Sequence, residues 1–163
     1  MRGVPICCVH FDIDCRDTTM TAMVFHLRAA TNEDLPFARA LTREAMSRYY
    51  QQYGFLWSND GFDVAWAGRE NWLICWGEVV MGFISLSRDS RALYIRELHV
   101  LDSVRGQGAG TWVLEQMAVK AQALGLLRLT VFKTNPAKRL YERMGLSVVL
   151  EEDTYWGMER VCN

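Results

Sequence analysis

The segment Arg105-Gly106-Gln107-Gly108-Ala109-Gly110-Thr111 constrains this chain more than any other. It follows an apolar, strand-like run from Leu93 to Leu101 and opens a helix-like run from Trp112 to Leu124. Alternating glycines at a strand-to-helix turn leave main-chain N–H groups bare, and the helix dipole adds partial positive charge at the same spot. The turn therefore reads as an anion site, with Arg105 at its front edge suited to pair with a second phosphate oxygen. A dinucleotide fingerprint needs glycine at positions one, three and six, and counting from Gly106 the sixth position is Thr111. A mononucleotide loop ends in Gly-Lys-Ser/Thr, and no lysine stands here. What remains is Arg-x-x-Gly-x-Gly, carried by Arg105, Gly108 and Gly110. The competing reading is a flexible glycine turn with no ligand.

A second punctuated segment follows: Asn135-Pro136-Ala137-Lys138-Arg139-Leu140-Tyr141-Glu142-Arg143-Met144-Gly145-Leu146. Asn135 suits a helix N-cap, Pro136 the first helical position and Gly145 the residue past the end. Ala137, Leu140, Tyr141 and Met144 share one face at helical spacing. Taken alone, Tyr141 on that face reads as a core aromatic with its hydroxyl at the rim.

Together the two segments resemble the signatures of the GNAT acetyltransferase superfamily: the pyrophosphate loop, then Asn, Ala, Leu-Tyr and Gly-Phe. Leu146 stands where phenylalanine is usual, and the interval from Asn135 to Tyr141 is one residue shorter than in many members. The resemblance covers roughly Val24 to Val161. It implies acetyl-coenzyme A as acetyl donor, held by Arg105, Gly106, Gln107, Gly108, Ala109, Gly110 and Thr111, with Asn135 a further contact. It implies that Leu98, His99 and Val100, on the strand before the loop, pair with the pantetheine arm like an added strand. One of their N–H groups would polarise the thioester carbonyl. It also implies direct attack without an acyl-enzyme, with Tyr141 as general acid towards the departing thiolate. Some relatives carry a catalytic carboxylate on the strand before the Asn-Tyr helix, but Leu127 to Phe132 contains no acid.

The only carboxylate beside the expected cofactor strand is Glu97, so Glu97 is the candidate general base, directly or through water. The alternative is a solvated partner of Arg96 or Arg91. His99 shares the face of Glu97 if the strand is regular; otherwise it touches the cofactor by backbone only. A bulge here would swap the side chains and bring Arg96 into the pocket. The acceptor wall is expected between the first two helices, where Tyr49, Tyr50, Tyr53, Phe55 and Trp57 crowd together; Tyr53 and Trp57 are the candidate pocket residues. Asp60 and Asp63 nearby would attract a cation, or serve as ordinary loop and helix-start residues.

The rest of the chain bounds the answer. At 163 residues, half of them hydrophobic, it suits one domain. A formal net charge of -1 speaks against a nucleic-acid surface. No apolar run approaches the ~18–20 residues of a membrane span, and residues 1–19 make a poor signal peptide. We read the protein as cytoplasmic and reduced. Five cysteines in irregular spacing make no disulfide framework. His10 beside Cys7, Cys8 and Cys15 matches no familiar zinc pattern, so no metal is expected. Residues 1–22 read as an extension outside the fold, and residues 23–163 as the acetyltransferase-like domain.

The element order reads βααβββαβαββ. Val24–Arg28 is a strand, and Thr31 to Asp34 is a capping box before a helix. A shorter helix spans Asn59–Arg69, and two strands flank Gly77-Glu78. The closing pieces are Ser147–Leu150 and Tyr155–Val161. This is an α/β class, a mixed and mostly antiparallel sheet flanked by helices, as the resemblance also implies. Dimerisation through the closing strands is an expectation without a residue pattern behind it. Three functions remain open: an N-acetyltransferase acting on a primary amine, of a small molecule or a protein; an acetyl-coenzyme A sensor without turnover; and a structural or partner-binding domain whose glycine turn holds no ligand.

Overall fold

A computed structural model describes residues 24–163. The expected extension, with its Cys7, Cys8, His10 and Cys15 cluster, lies outside the described residues. The described chain runs β1 (Phe25–Ala29), α1 (Leu35–Tyr53), α2 (Asn59–Ala67), β2 (Glu70–Trp76), β3 (Val79–Arg88) and β4 (Ala92–Val100). It continues through α3 (Ala109–Ala121), β5 (Leu126–Phe132), α4 (Ala137–Arg143), β6 (Ser147–Glu151) and β7 (Tyr155–Val161). The expected order of elements is the observed one.

Local signals act where they stand. Asp34 accepts from the Thr31 main-chain N–H at 2.8 Å, closing the capping box ahead of α1. Its carboxyl also receives Arg28 at 3.0 Å, and that hydrogen bond, with the Thr31 contacts, holds it below the usual carboxylate range. α1 stops at Gly54, which takes the left-handed conformation (φ 74°) and donates to the Tyr50 carbonyl. α2 ends two residues earlier than expected: Gly68 interrupts it, and the Trp66 carbonyl accepts from the Arg69 main-chain N–H at 3.1 Å and from the Asn71 side chain. α3 starts at Ala109 rather than Trp112, so Gly110 and Thr111 form its first turn.

The seven strands form one sheet in the order β1-β2-β3-β4-β5-β7-β6. Every pairing is antiparallel except β4 with β5. Alternation along the strands sends side chains to two cores. On one face Ile84, Leu93, Ile95 and Leu127 pack with Val113, Leu114 and Met117 of α3, joined by Leu140, Tyr141 and Met144 of α4. On the other, Leu73, Cys75 and Phe83 pack with Ala38 and Leu41 of α1 and Phe62 and Trp66 of α2.

Two irregularities position the site. The parallel pairing of β4 with β5 covers only Ala92–Ile95 against Leu126–Leu129. Beyond it β4 stays with β3 and β5 stays with β7, so the two strands part. At the same point the register of β4 on β3 shifts: Leu86 faces Ile95, yet Ser85 faces Glu97. Arg96 is the extra residue of a bulge, a feature that bends a strand and re-aims its side chains.

Candidate active site

The parting of β4 from β5 opens a cleft of about 770 Å³, walled by α1, β4, the glycine turn, β5 and α4. At one end lies the turn. Gly106 (φ 76°) and Gly108 (φ 88°) hold the left-handed conformation that other residues resist. Among the described residues, the first main-chain N–H after Arg105 to find a main-chain acceptor is that of Trp112, on Gly108 O at 2.9 Å. The N–H groups of residues 106–111 are thus left for an outside acceptor, at the positive end of α3. Gly110 also governs helix packing: a Cβ there would lie 3.1 Å from Leu140 Cδ2, so glycine lets α4 close on α3. Arg105 lines the cleft while its Nε sits 2.9 Å from Asp102 Oδ1. The Gln107 side chain is exposed and outside the walls.

Along β4, the Leu101 N–H donates to Met81 O at 2.8 Å. Hydrogen-bonded and non-bonded pairs alternate in an antiparallel ladder. His99 opposite Phe83 therefore turns its main chain to β3, while Leu98 and Val100 turn theirs away, towards the parted edge. The backbone role expected of all three residues suits Leu98 and Val100; His99 is oriented for a side-chain role. β3 can press this close because residue 82 is glycine: a Cβ on it would stand 2.1 Å from His99 O.

Glu97 and His99 share a face despite the bulge. His99 Nε2 lies 2.9 Å from Glu97 Oε2, and Arg69 Nη1 lies 3.6 Å from Glu97 Oε1. The arginine beside Glu97 is thus Arg69, from the α2–β2 connection, rather than Arg96 or Arg91. Arg96 stays at the cleft wall, donating from Nε to Ser87 Oγ at 2.7 Å with its guanidinium over the Tyr94 ring. Such a partner for Glu97 is invisible in sequence, because β2 and β4 are brought together only by β3.

Tyr141 reaches the cleft from α4. Asn135 Oδ1 accepts from the Ala137 N–H at 2.9 Å and so anchors that helix; Asn135 also lines the cleft. The Tyr141 ring packs with Leu140 and Met144 into the α3-side core. Burial, then the nearby Glu97 and Tyr49, push its phenol up to about 12. Burial and Glu97 likewise push up Tyr50. Glu97, Tyr50 and Tyr141 all line the one cleft.

The aromatic wall differs from the one expected. Tyr53 stacks on Phe132 at 5.2 Å and its hydroxyl donates to Thr134 Oγ1 at 3.3 Å, outside the cleft. Trp57 donates to Asn59 Oδ1 at 2.7 Å and packs on Phe62, also outside. The cleft is lined instead by Met46, Tyr49, Tyr50, Phe132 and Tyr155. Met46, Tyr49 and Tyr50 follow the three-and-four spacing of one helix stripe, a signal available in the sequence. Asp63 is taken by Arg39 at 2.6 Å and Asp60 opens α2; neither lines the cleft.

A parted sheet with uncovered amides at a helix start is the architecture of an acyl-coenzyme A-dependent transferase, and the amides suit its diphosphate. The family model for the acetyltransferase (GNAT) family matches residues 35–146, and the chain belongs to that family. It is an acetyl-coenzyme A-dependent acetyltransferase.

Solved structures share the fold. The acetyltransferase from Thermus thermophilus is 19% identical, with 87% of this chain and 99% of that one covered at a TM-score of 0.70. The PaiA N-acetyltransferase from Thermoplasma acidophilum, in complex with coenzyme A, is 17% identical, with 85% and 99% covered at 0.65. The spermidine N-acetyltransferase from Vibrio cholerae, with coenzyme A and spermine, is 18% identical, with 85% and 95% covered at 0.65. No curated protein matches the chain. Among the described residues no helix is long and apolar enough to cross a membrane, and no group of three or more His, Cys, Asp or Glu side chains gathers to hold a metal.

Proposed function

We infer that the chain moves the acetyl group of acetyl-coenzyme A to a primary amine by direct attack. The observation that carries this reading is the placing of Glu97 and Tyr141 on one cleft that begins at the bare amides of residues 106–111. Acetyl-coenzyme A supplies the acetyl group as a thioester. The N–H groups of residues 106–111, with Arg105, hold its diphosphate. The parted edge of β4 offers the Leu98 and Val100 main chain to the pantetheine arm, and an N–H there polarises the thioester carbonyl.

Glu97, directly or through water, accepts the amine proton, so the nitrogen lone pair is free for the new C–N bond. His99 and Arg69 hold the carboxylate in place. As the C–S bond breaks, the Tyr141 hydroxyl donates to the sulfur that takes the electron pair. A phenol pushed up to about 12 stays protonated across the neutral range and is always a donor. No cysteine is needed: of those described, Cys75 and Cys162 are buried and outside the cleft.

A panel of amines with detection of free thiol tests the reading. Thiol release that depends on a primary amine, with one amide formed per thiol, is expected. Binding of acetyl-coenzyme A with no transfer to any amine would leave a sensor instead.

A further inference from the structure

Among the described residues, the walls of the cleft hold four guanidinium groups, on Arg48, Arg96, Arg105 and Arg143, but one carboxylate, Glu97. Arg105 belongs to the glycine turn and Arg143 to α4, on the side of the sheet where α3 offers its N-terminus. The other two stand elsewhere. Arg48 is on α1, which packs against the opposite face. Arg96 is the bulge residue next to Glu97.

Neither Arg48 nor Arg96 has a carboxylate partner among the described residues. Arg48 is steadied by the Tyr49 hydroxyl, 2.7 Å from Nη2, and by the Tyr49 ring, 4.7 Å below its guanidinium carbon. Arg96 spends only Nε, on Ser87, and rests on Tyr94. Both guanidinia are thus oriented by aromatic rings and hydroxyls, with their charge uncompensated and N–H donors to spare. The one acid in the cleft is already shared between Arg69 and His99. A polycationic acceptor would meet repulsion here, with no second carboxylate to receive it.

We propose that the acceptor bears a carboxylate close to its reacting amine, bound by Arg48 and Arg96 while the amine faces Glu97. The proposal rests on the amine-acetylation reading above and specifies its substrate class. A guanidinium matches a carboxylate in charge and fork geometry, so two of them discriminate strongly between an acid and its amide.

Initial rates with the full chain at saturating acetyl-coenzyme A test it. The acceptors are aspartate against asparagine amide, an amidated tripeptide starting with aspartate against one starting with asparagine, and spermidine. In at least one pair the acid is expected to show kcat/KM about tenfold or more above its neutral partner, as a charge-assisted contact predicts. The pair that responds tells a free amino acid from a peptide N-terminus. Arg48→Gln and Arg96→Gln are each expected to collapse that ratio through the acceptor KM, and Arg48→Lys to keep part of it. Preference for spermidine or for the neutral partners overturns the proposal alone, as does a ratio untouched in both arginine variants. Absence of turnover with every amine overturns the amine reading and this proposal with it.

Discussion

The imidazole of His99 and the carboxylate of Glu97 meet at 2.9 Å, two residues apart on one strand. A regular strand sends such residues to the same face, and the bulge at Arg96 leaves that relation intact because it precedes both. With Arg69 on the other carboxylate oxygen, Glu97 is oriented from two sides. It lines the cleft together with Tyr50 and Tyr141.

Glu97→Gln removes the proposed proton acceptor and keeps the shape. Turnover is expected to fall by about 10²–10⁴-fold, the usual contribution of a positioned base. Unchanged turnover would take Glu97 out of the chemistry.

Tyr141→Phe is expected to cut kcat while leaving the affinity for acetyl-coenzyme A nearly intact, because the ring packing is preserved. The phenol also makes a statement about stability. Its pKa rises from 10.0 to about 12 on folding, so the native state holds this proton more tightly than the unfolded chain. The resulting contribution is complete below pH 10 and is lost as pH climbs towards 12, at about 1.4 kcal/mol per unit. Alkaline unfolding followed by circular dichroism should therefore be less steep in Tyr141→Phe than in the wild type between those limits.

Gly108→Glu puts a side chain and a negative charge into the turn at a φ of 88°. The wild type at a hundredfold excess of acetyl-coenzyme A over its Kd should gain about 2.7 kcal/mol in a thermal-shift experiment. The variant should lose that gain. Gly108→Ala separates the causes, since it brings the backbone strain without the charge.

Gly82→Ala tests the close approach of β3 to β4. The added Cβ meets the His99 carbonyl oxygen at 2.1 Å and the Val100 Cα at 2.8 Å, both backbone atoms that no rotamer change moves. A loss of about 2–3 kcal/mol is expected from urea unfolding, as for other overpacked positions. A stability within about 0.5 kcal/mol of wild type, the ordinary range for harmless surface changes, would mean that β4 yields there easily.

Much of this molecule was legible along the chain. The glycine turn, the Thr31–Asp34 box, the stop at Gly145 and the order of the eleven described strands and helices follow from local rules of backbone conformation and side-chain period. Boundaries moved by up to three residues, as at Ala109, where the glycines proved to be part of the helix rather than a prelude to it. The aromatic lining of the cleft was legible in kind but not in person. Aromatics crowd α1 and its exit, yet Tyr49 and Tyr50 line the cleft, whereas Tyr53, one turn further along the same stripe, stacks on Phe132 outside it.

The sequence by itself determined which segments are strands and helices and where a glycine turn leaves main-chain amides bare; the placing of Tyr141 and Glu97 near that turn came from the family resemblance. The first two are short-range matters, settled by neighbours a few residues apart. Only the tertiary structure decided that β4 and β5 part after Ile95, that Arg69 rather than a strand neighbour attends Glu97, and that Arg48 and Arg96 flank the opening with no acid partner among the described residues. Those outcomes depend on which strands share hydrogen bonds across the sheet and where one ladder slips by a residue. Such long-range pairing leaves no periodic trace in the order of the amino acids.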